Sequence, residues 1–169
     1  MGGDSGILES LAEYRGNIYE IKAVINGTLN YIGEKLSEGL SREDIYQQVQ
    51  EKGFAEPGSC DFQDVINNEM KDVLLKTAIL ANCSNLYDRI IKPEDLFIEP
   101  NQDWLRCFVL LTKKQIKSGF MEVNDISWFP AGVNNILYIN NQKIIEGAGA
   151  GGRATAERML KDYKKLGLY

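Results

Sequence analysis

The sequence predicts an α+β fold, a two-layer sandwich in which a mixed β-sheet carries helices packed on one face. Two observations lead there. The first half of the chain repeats apolar residues with a helical period after one strand-like run, and the second half is a series of short stretches rich in β-branched, aromatic and aliphatic residues.

Residues 18–25 set Tyr19, Ile21, Ala23 and Ile25 against Glu20 and Lys22, the period-2 pattern of a strand with one buried face, ending at Asn26-Gly27. From Thr28 the period changes, with Leu29, Ile32, Gly33 and Leu36 on one helical face and Gly39 as a stop. Ser41 is a good N-cap for a second helix. Glu43 and Asp44 favour its positive end, and Ile45 and Val49 carry its apolar face until Gly53. Asp61 or Asp64 can cap a third, longer helix with Val65, Val73, Thr77 and Leu80 near one side, running to about Asn82. Strands follow at Cys107–Thr112, Met121–Trp128 and Ile136–Ile139. Asn140-Asn141 reads as a turn, followed by Lys143–Glu146, a glycine-rich stretch, and a final helix from about Ala154 with Met159 and Leu160 inside.

A chain of 169 residues with 44% hydrophobic composition can bury one core, so a single domain over residues 1–169 is expected. Its longest apolar runs, such as Phe108 to Leu111, fall far short of the roughly 18 residues of a membrane span, and no secretory signal is visible. A cytoplasmic protein without a membrane partner is the expectation. Cys60, Cys83 and Cys107 are too widely spaced for a disulfide framework or a zinc knuckle. A net charge of −5 with only short basic runs disfavours nucleic acid. The chain has no histidine, which removes Ser-His-Asp, Cys-His and imidazole-metal chemistry together and leaves Lys, Asp, Glu, Tyr or Cys as acid or base.

Four segments carry chemistry. Asn26-Gly27-Thr28 puts a glycine, a hydroxyl and an amide where a strand meets a helix N-terminus, a place that can bind a small polar ligand, although such a corner is ordinarily a turn and a cap. Gly53-Phe54-Ala55-Glu56-Pro57 fixes a carboxylate just after a helix stop, where it can meet an ammonium group or simply be a loop acid. Asp72 and Lys76 share a helix face at i and i+4. In solvent this is a commonplace salt bridge, and in a cleft it is an amine able to exchange a proton with a hydroxyl while the carboxylate orients it. The glycine-rich run Gly147–Gly152 before Thr155 suits close approach of a dinucleotide, but no Rossmann strand-loop-helix unit follows it.

Together, and in this order, these segments resemble the second domain of homoserine dehydrogenases over nearly the whole chain. The blocks are Asn26–Ile32, Gly53–Pro57, Asp72-x-x-x-Lys76-x-x-Ile79-Leu80-Ala81 and Gly147–Thr155. The resemblance implies interconversion of L-homoserine and L-aspartate 4-semialdehyde with NAD or NADP. Lys76 would exchange the hydroxyl proton and Asp72 would position it. Glu56 would hold the amino group, with Gly27, Thr28, Phe54 and Asn67 in the substrate pocket. Gly53, Gly149, Ala150, Gly151 and Thr155 would face the cofactor. The same resemblance implies a homodimer formed through the sheet, and a partial monovalent-cation site for Na+ or K+ at Met1, Gly3 and Ser5.

It also implies a nucleotide-binding domain that this chain does not contain, without which the chain would be inactive. Departures from the family are Met70 where a glycine is usual, Asn67 where an aspartate is often found (Asp61 and Asp64 being the other places to seek it), and Phe54 for tyrosine. The family's loop before Asn134-Asn135 is shortened here. The alternative is a non-catalytic binding or dimerisation module that keeps the fold.

Overall fold

A computed structural model of the chain describes residues 5–99, 105–122 and 128–165. The chain runs through α1 (Ile7–Glu13), β1 (Glu20–Val24), α2 (Gly27–Ser37), α3 (Arg42–Glu51), α4 (Phe62–Cys83) and a 3-10 turn (Pro93–Asp95). It continues through β2 (Leu105–Thr112), β3 (Gln115–Glu122), β4 (Asn134–Ile139), β5 (Gln142–Ala148) and α5 (Gly152–Lys165). No described helix is long and apolar enough to cross a membrane.

α2, α3 and α4 begin where side chains satisfy their first amide groups. Asn26, Ser41 and Asp61 each accept a hydrogen bond from the backbone N–H three residues on, at Leu29, Asp44 and Asp64 respectively. Of the two candidate caps of α4, Asp61 therefore holds the position, and Asp64 accepts from the Cys60 N–H instead. α3 stops at Gly53, whose φ of 63° is the left-handed conformation that ends a helix.

The sheet has the order β3-β2-β1-β4-β5, with the first strand of the chain at its centre. Ile21 lies between Leu111 and Ile139, and Ala23 between Val109 and Leu137, so one face of three adjacent strands is aliphatic. That face packs with Ile7 and Leu11 of α1, Leu29 of α2, and Val73, Leu80 and Ala81 of α4 to form the main core. Tyr31, Ile32, Ile45, Val49 and Val65 join α2, α3 and α4 in a second cluster.

The α+β architecture is as expected, with corrections in detail. Every strand pair is antiparallel rather than mixed, because β2–β3 and β4–β5 are tight hairpins whose inner strands both run against β1. The strand expected at Met121–Trp128 lies earlier, at Gln115–Glu122, because Lys113-Lys114 is a hairpin turn; Trp128 falls in a turn, and residues 123–127 are outside the described residues. The other hairpin turns as expected on Asn140 and Asn141, whose φ values of 53° and 65° give the tight turn that matches strand twist. α1 was not anticipated, and α5 starts two residues earlier than the sequence suggested, with Met159 and Leu160, expected inside, exposed instead.

Candidate active site at the end of β1

β1 delivers the chain to Asn26 at the rim of the sheet, and α2 starts at once. Asn26 is 2% exposed and uses both ends of its amide: Oδ1 accepts from the Leu29 N–H at 2.8 Å, while Nδ2 donates to Glu69 Oε2 at 2.6 Å and to Asp72 Oδ2 at 2.9 Å. The cap of α2 is thereby fastened to two carboxylates of α4. Asp72 Oδ2 in turn lies 2.5 Å from Lys76 Nζ, and the Lys76 side chain is only 15% exposed, against 38% for Asp72. A solvated surface bridge leaves both partners open to water, so the enclosed lysine is the informative member.

Gly27 is required by close approach: a Cβ there would strike the Val133 carbonyl oxygen and come within 3.1 Å of the Ala150 nitrogen. The Gly27-Thr28 corner and the glycine-rich loop after β5 are thus in contact. The Thr28 hydroxyl donates to the Phe54 carbonyl at 2.8 Å, tying the loop after α3 to the same corner. The Phe54 ring meets Tyr31 edge-on, and one ring carbon lies 3.6 Å from where a Cβ on Gly151 would be. Glu56 is exposed on that loop, and its negative charge is felt by Glu69.

The glycine-rich loop is held from both sides. The Gly149 N–H donates to the Val133 carbonyl at 2.8 Å, and a Cβ on Gly149 would collide with the Asn135 amide. Asn135 is fully buried, with neither end of its amide hydrogen-bonded. Gly151 has a φ of 106°, and its carbonyl accepts from the Thr155 hydroxyl at 3.2 Å. Such a backbone presses close to its neighbours without side chains of its own, which suits a flat ring ligand. The described sheet has no parallel strand-helix-strand unit.

The structure does not bring every expected residue to this place. Asn67 is exposed on the other side of α4, where its Oδ1 accepts from Gln63 at 3.1 Å, and Asp61 and Asp64 are spent on the start of that helix. Gly53 acts as a helix stop with open space around it. Ser5 is buried just before α1, whereas Met1 and Gly3 lie outside the described residues.

Sequence reasoning missed Glu69, which is 6% exposed and whose carboxyl is pushed up to about 7. Burial is the main cause; the Asn26 hydrogen bond opposes it, the charges of Asp72 and Glu56 add to it, and that of Lys76 opposes it. Its spacing of three residues from Asp72 was the signal available. Asn30 carries no local signal of a role in the sequence. Its Nδ2 donates to the Pro130 and Gly132 carbonyls, each at 2.8 Å, and so fixes the loop that carries Val133 over Gly27.

A family model described as homoserine dehydrogenase matches residues 7–163. The chain belongs to the homoserine dehydrogenase family. The homoserine dehydrogenase of Methanocaldococcus jannaschii is 28% identical over 162 residues, covering 86% of this chain and 47% of the relative. The bifunctional aspartokinase/homoserine dehydrogenase of Buchnera aphidicola is 33% identical over 93 residues, covering 55% of this chain and 10% of that protein. Among solved structures, a hyperthermophilic archaeal homoserine dehydrogenase in complex with NADPH superposes with a TM-score of 0.68 at 24% identity, covering 98% of this chain and 53% of that one. The Staphylococcus aureus homoserine dehydrogenase does so at 0.64 and 18% identity, covering 98% and 46%. This chain therefore spans about half the length of the Methanocaldococcus relative and of these structural neighbours. Met70, standing where the family usually has glycine, is 8% exposed and packs in the main core.

Proposed function

We propose that this chain is the substrate-binding and catalytic half of a homoserine dehydrogenase, interconverting L-homoserine and L-aspartate 4-semialdehyde with NAD or NADP. The observation that carries the reading is the enclosed Lys76 amine, paired with Asp72 and anchored through Asn26 to the Gly27-Thr28 corner.

In the oxidative direction the C4 hydroxyl loses its proton to the Lys76 amine as the C4 hydride departs and the carbonyl forms; reduction runs the same steps backward. A nicotinamide cofactor, when bound, would supply the hydride acceptor or donor for this step. Asp72 keeps the amine aimed at the hydroxyl. Glu56, exposed at the mouth, is the partner for the substrate ammonium, and the N-terminus of α2 at Gly27-Thr28 favours the substrate carboxylate. Gly149, Ala150, Gly151 and Thr155 would lie along the cofactor. A monovalent cation near Ser5 belongs to the same reading.

Leu75 and Ile79 stand 51% and 45% exposed on the α4 face that carries Asp72 and Lys76. An apolar rim beside a reactive amine is suited to cover by a nucleotide-binding half, which would exclude water and orient the hydride. The open sheet face, with Leu110 and Tyr138 half-buried, is the surface for a homodimer.

The test is a fusion of this chain behind the nucleotide-binding half of the Methanocaldococcus jannaschii relative. Homoserine-dependent reduction of NAD or NADP, and the reverse reaction, are expected. A folded fusion that binds NADPH and moves no hydride in either direction would overturn the reading.

A further inference from the structure

Glu69 is a buried titratable group, beside the Asp72–Lys76 pair, for which the proposed reaction has no role. Its Oε2 and the Asp72 Oδ2 accept from the same amide nitrogen, Asn26 Nδ2, at 2.6 and 2.9 Å. An amide nitrogen has two protons to give, so Asn26 serves both carboxylates at once and holds them at fixed positions. The Asn26 oxygen is occupied by the Leu29 N–H, which prevents the amide from turning over. The charged groups facing Glu69 are Asp72 and Lys76 from its own helix and Glu56 from the loop after α3; the neutral Asn26 faces it from the start of α2.

A third carboxylate beside one ammonium group is costly to bury unless its charge has a use. We propose that Glu69 is a positioning residue for the proton exchange at Lys76: joined to Asp72 through the Asn26 amide, its carboxylate places a second negative charge behind the ion pair and holds the amine in its charged form. Glu69 touches neither substrate nor cofactor. It acts on Lys76 through the field across the shared amide, and the inference rests on the reading of Lys76 as the proton-exchanging group. Because burial pushes the Glu69 carboxyl up to about 7, that second charge is present above neutrality and withdrawn below it.

The test needs neither cofactor nor substrate. The 169-residue chain with isotope-labelled lysine is titrated by NMR, the Lys76 signal being assigned by its loss in Lys76→Arg. Glu69→Gln keeps an oxygen for the Asn26 N–H and the shape of the side chain while removing the charge. It is expected to move the midpoint of the Lys76 amine down by about one pH unit, the effect of one nearby charge in a partly screened site. The unsubstituted chain is expected to show a smaller second inflection of the Lys76 signal near pH 7, where Glu69 titrates.

An unmoved midpoint in Glu69→Gln overturns the proposal. If that variant does not fold, a Lys76 signal with no inflection near neutrality in the unsubstituted chain overturns it equally. In the active fusion the same substitution should shift the acid limb of homoserine oxidation down by the same amount. Loss of activity in Lys76→Ala together with an unmoved titration would remove the role of Glu69 alone. An inactive fusion with a shifted titration would leave the coupling standing and remove the dehydrogenase reading.

Discussion

Gly27 lies directly beneath the Val133 carbonyl, so close that a methyl group on its Cα would run into the oxygen. Two segments more than 100 residues apart in the chain meet there, the start of α2 and the residue that leads into β4. Neither atom is the far end of a flexible side chain, so relief requires backbone movement. Gly27→Ala is expected to cost about 1–3 kcal/mol by overpacking, read as a Tm lower by roughly 5 °C in thermal unfolding. Activity in the fusion should fall with it, because the displaced corner is the proposed substrate site and touches the glycine-rich loop.

The loop above Gly27 is held by Asn30, which donates to the Pro130 and Gly132 carbonyls from a fully buried position. Asn30→Ala removes both donors and leaves buried carbonyl groups less well satisfied, with an expected loss of about 1–3 kcal/mol in urea unfolding. Asn67→Ala, on the exposed side of α4, is the matching control and should stay within about 0.5 kcal/mol of the unsubstituted chain. Equal losses at the two positions would contradict the assignment of Asn30 as the clamp.

Stability should also depend on pH through Glu69. Its carboxyl titrates near 7 in the folded chain and at 4.5 when free, so between those values the folded form holds a proton that the unfolded form has released. The stability associated with that proton is complete below 4.5 and is lost as pH rises through 7, to the extent of about 3 kcal/mol. Glu69→Gln stays neutral throughout. It should therefore flatten this part of the pH profile and leave the chain more stable than the parent above pH 7, as followed by urea unfolding at a series of pH values.

Much of this was legible in the sequence. The helix starts at Asn26 and Ser41 and the stop at Gly53 follow from cap chemistry, and the Asn140-Asn141 turn from the tolerance of asparagine for positive φ. The pairing of Asp72 with Lys76 followed from helix spacing. What the sequence concealed depends on contacts between distant segments. Nothing local marks Asn26 as the amide that serves Glu69 and Asp72, 43 and 46 residues away. The position of β3 was lost because the alternation of Ile116, Ser118 and Phe120 against Lys117 is interrupted by the glycine at 119 and by a buried serine, which bonds to Thr77 of α4. Asn67 was assigned from the family's pattern, and helix geometry turns it away from Lys76.

Proton exchange between the Lys76 amine and the substrate hydroxyl is tested most directly by kcat for homoserine oxidation in Lys76→Ala of the active fusion. A fall of about 10²–10⁴ in kcat, with the affinity for NADPH and the thermal stability unchanged, is the predicted result. A kcat within a factor of about two of the parent would contradict it, and would reduce the Asp72–Lys76 pair to a structural ion pair.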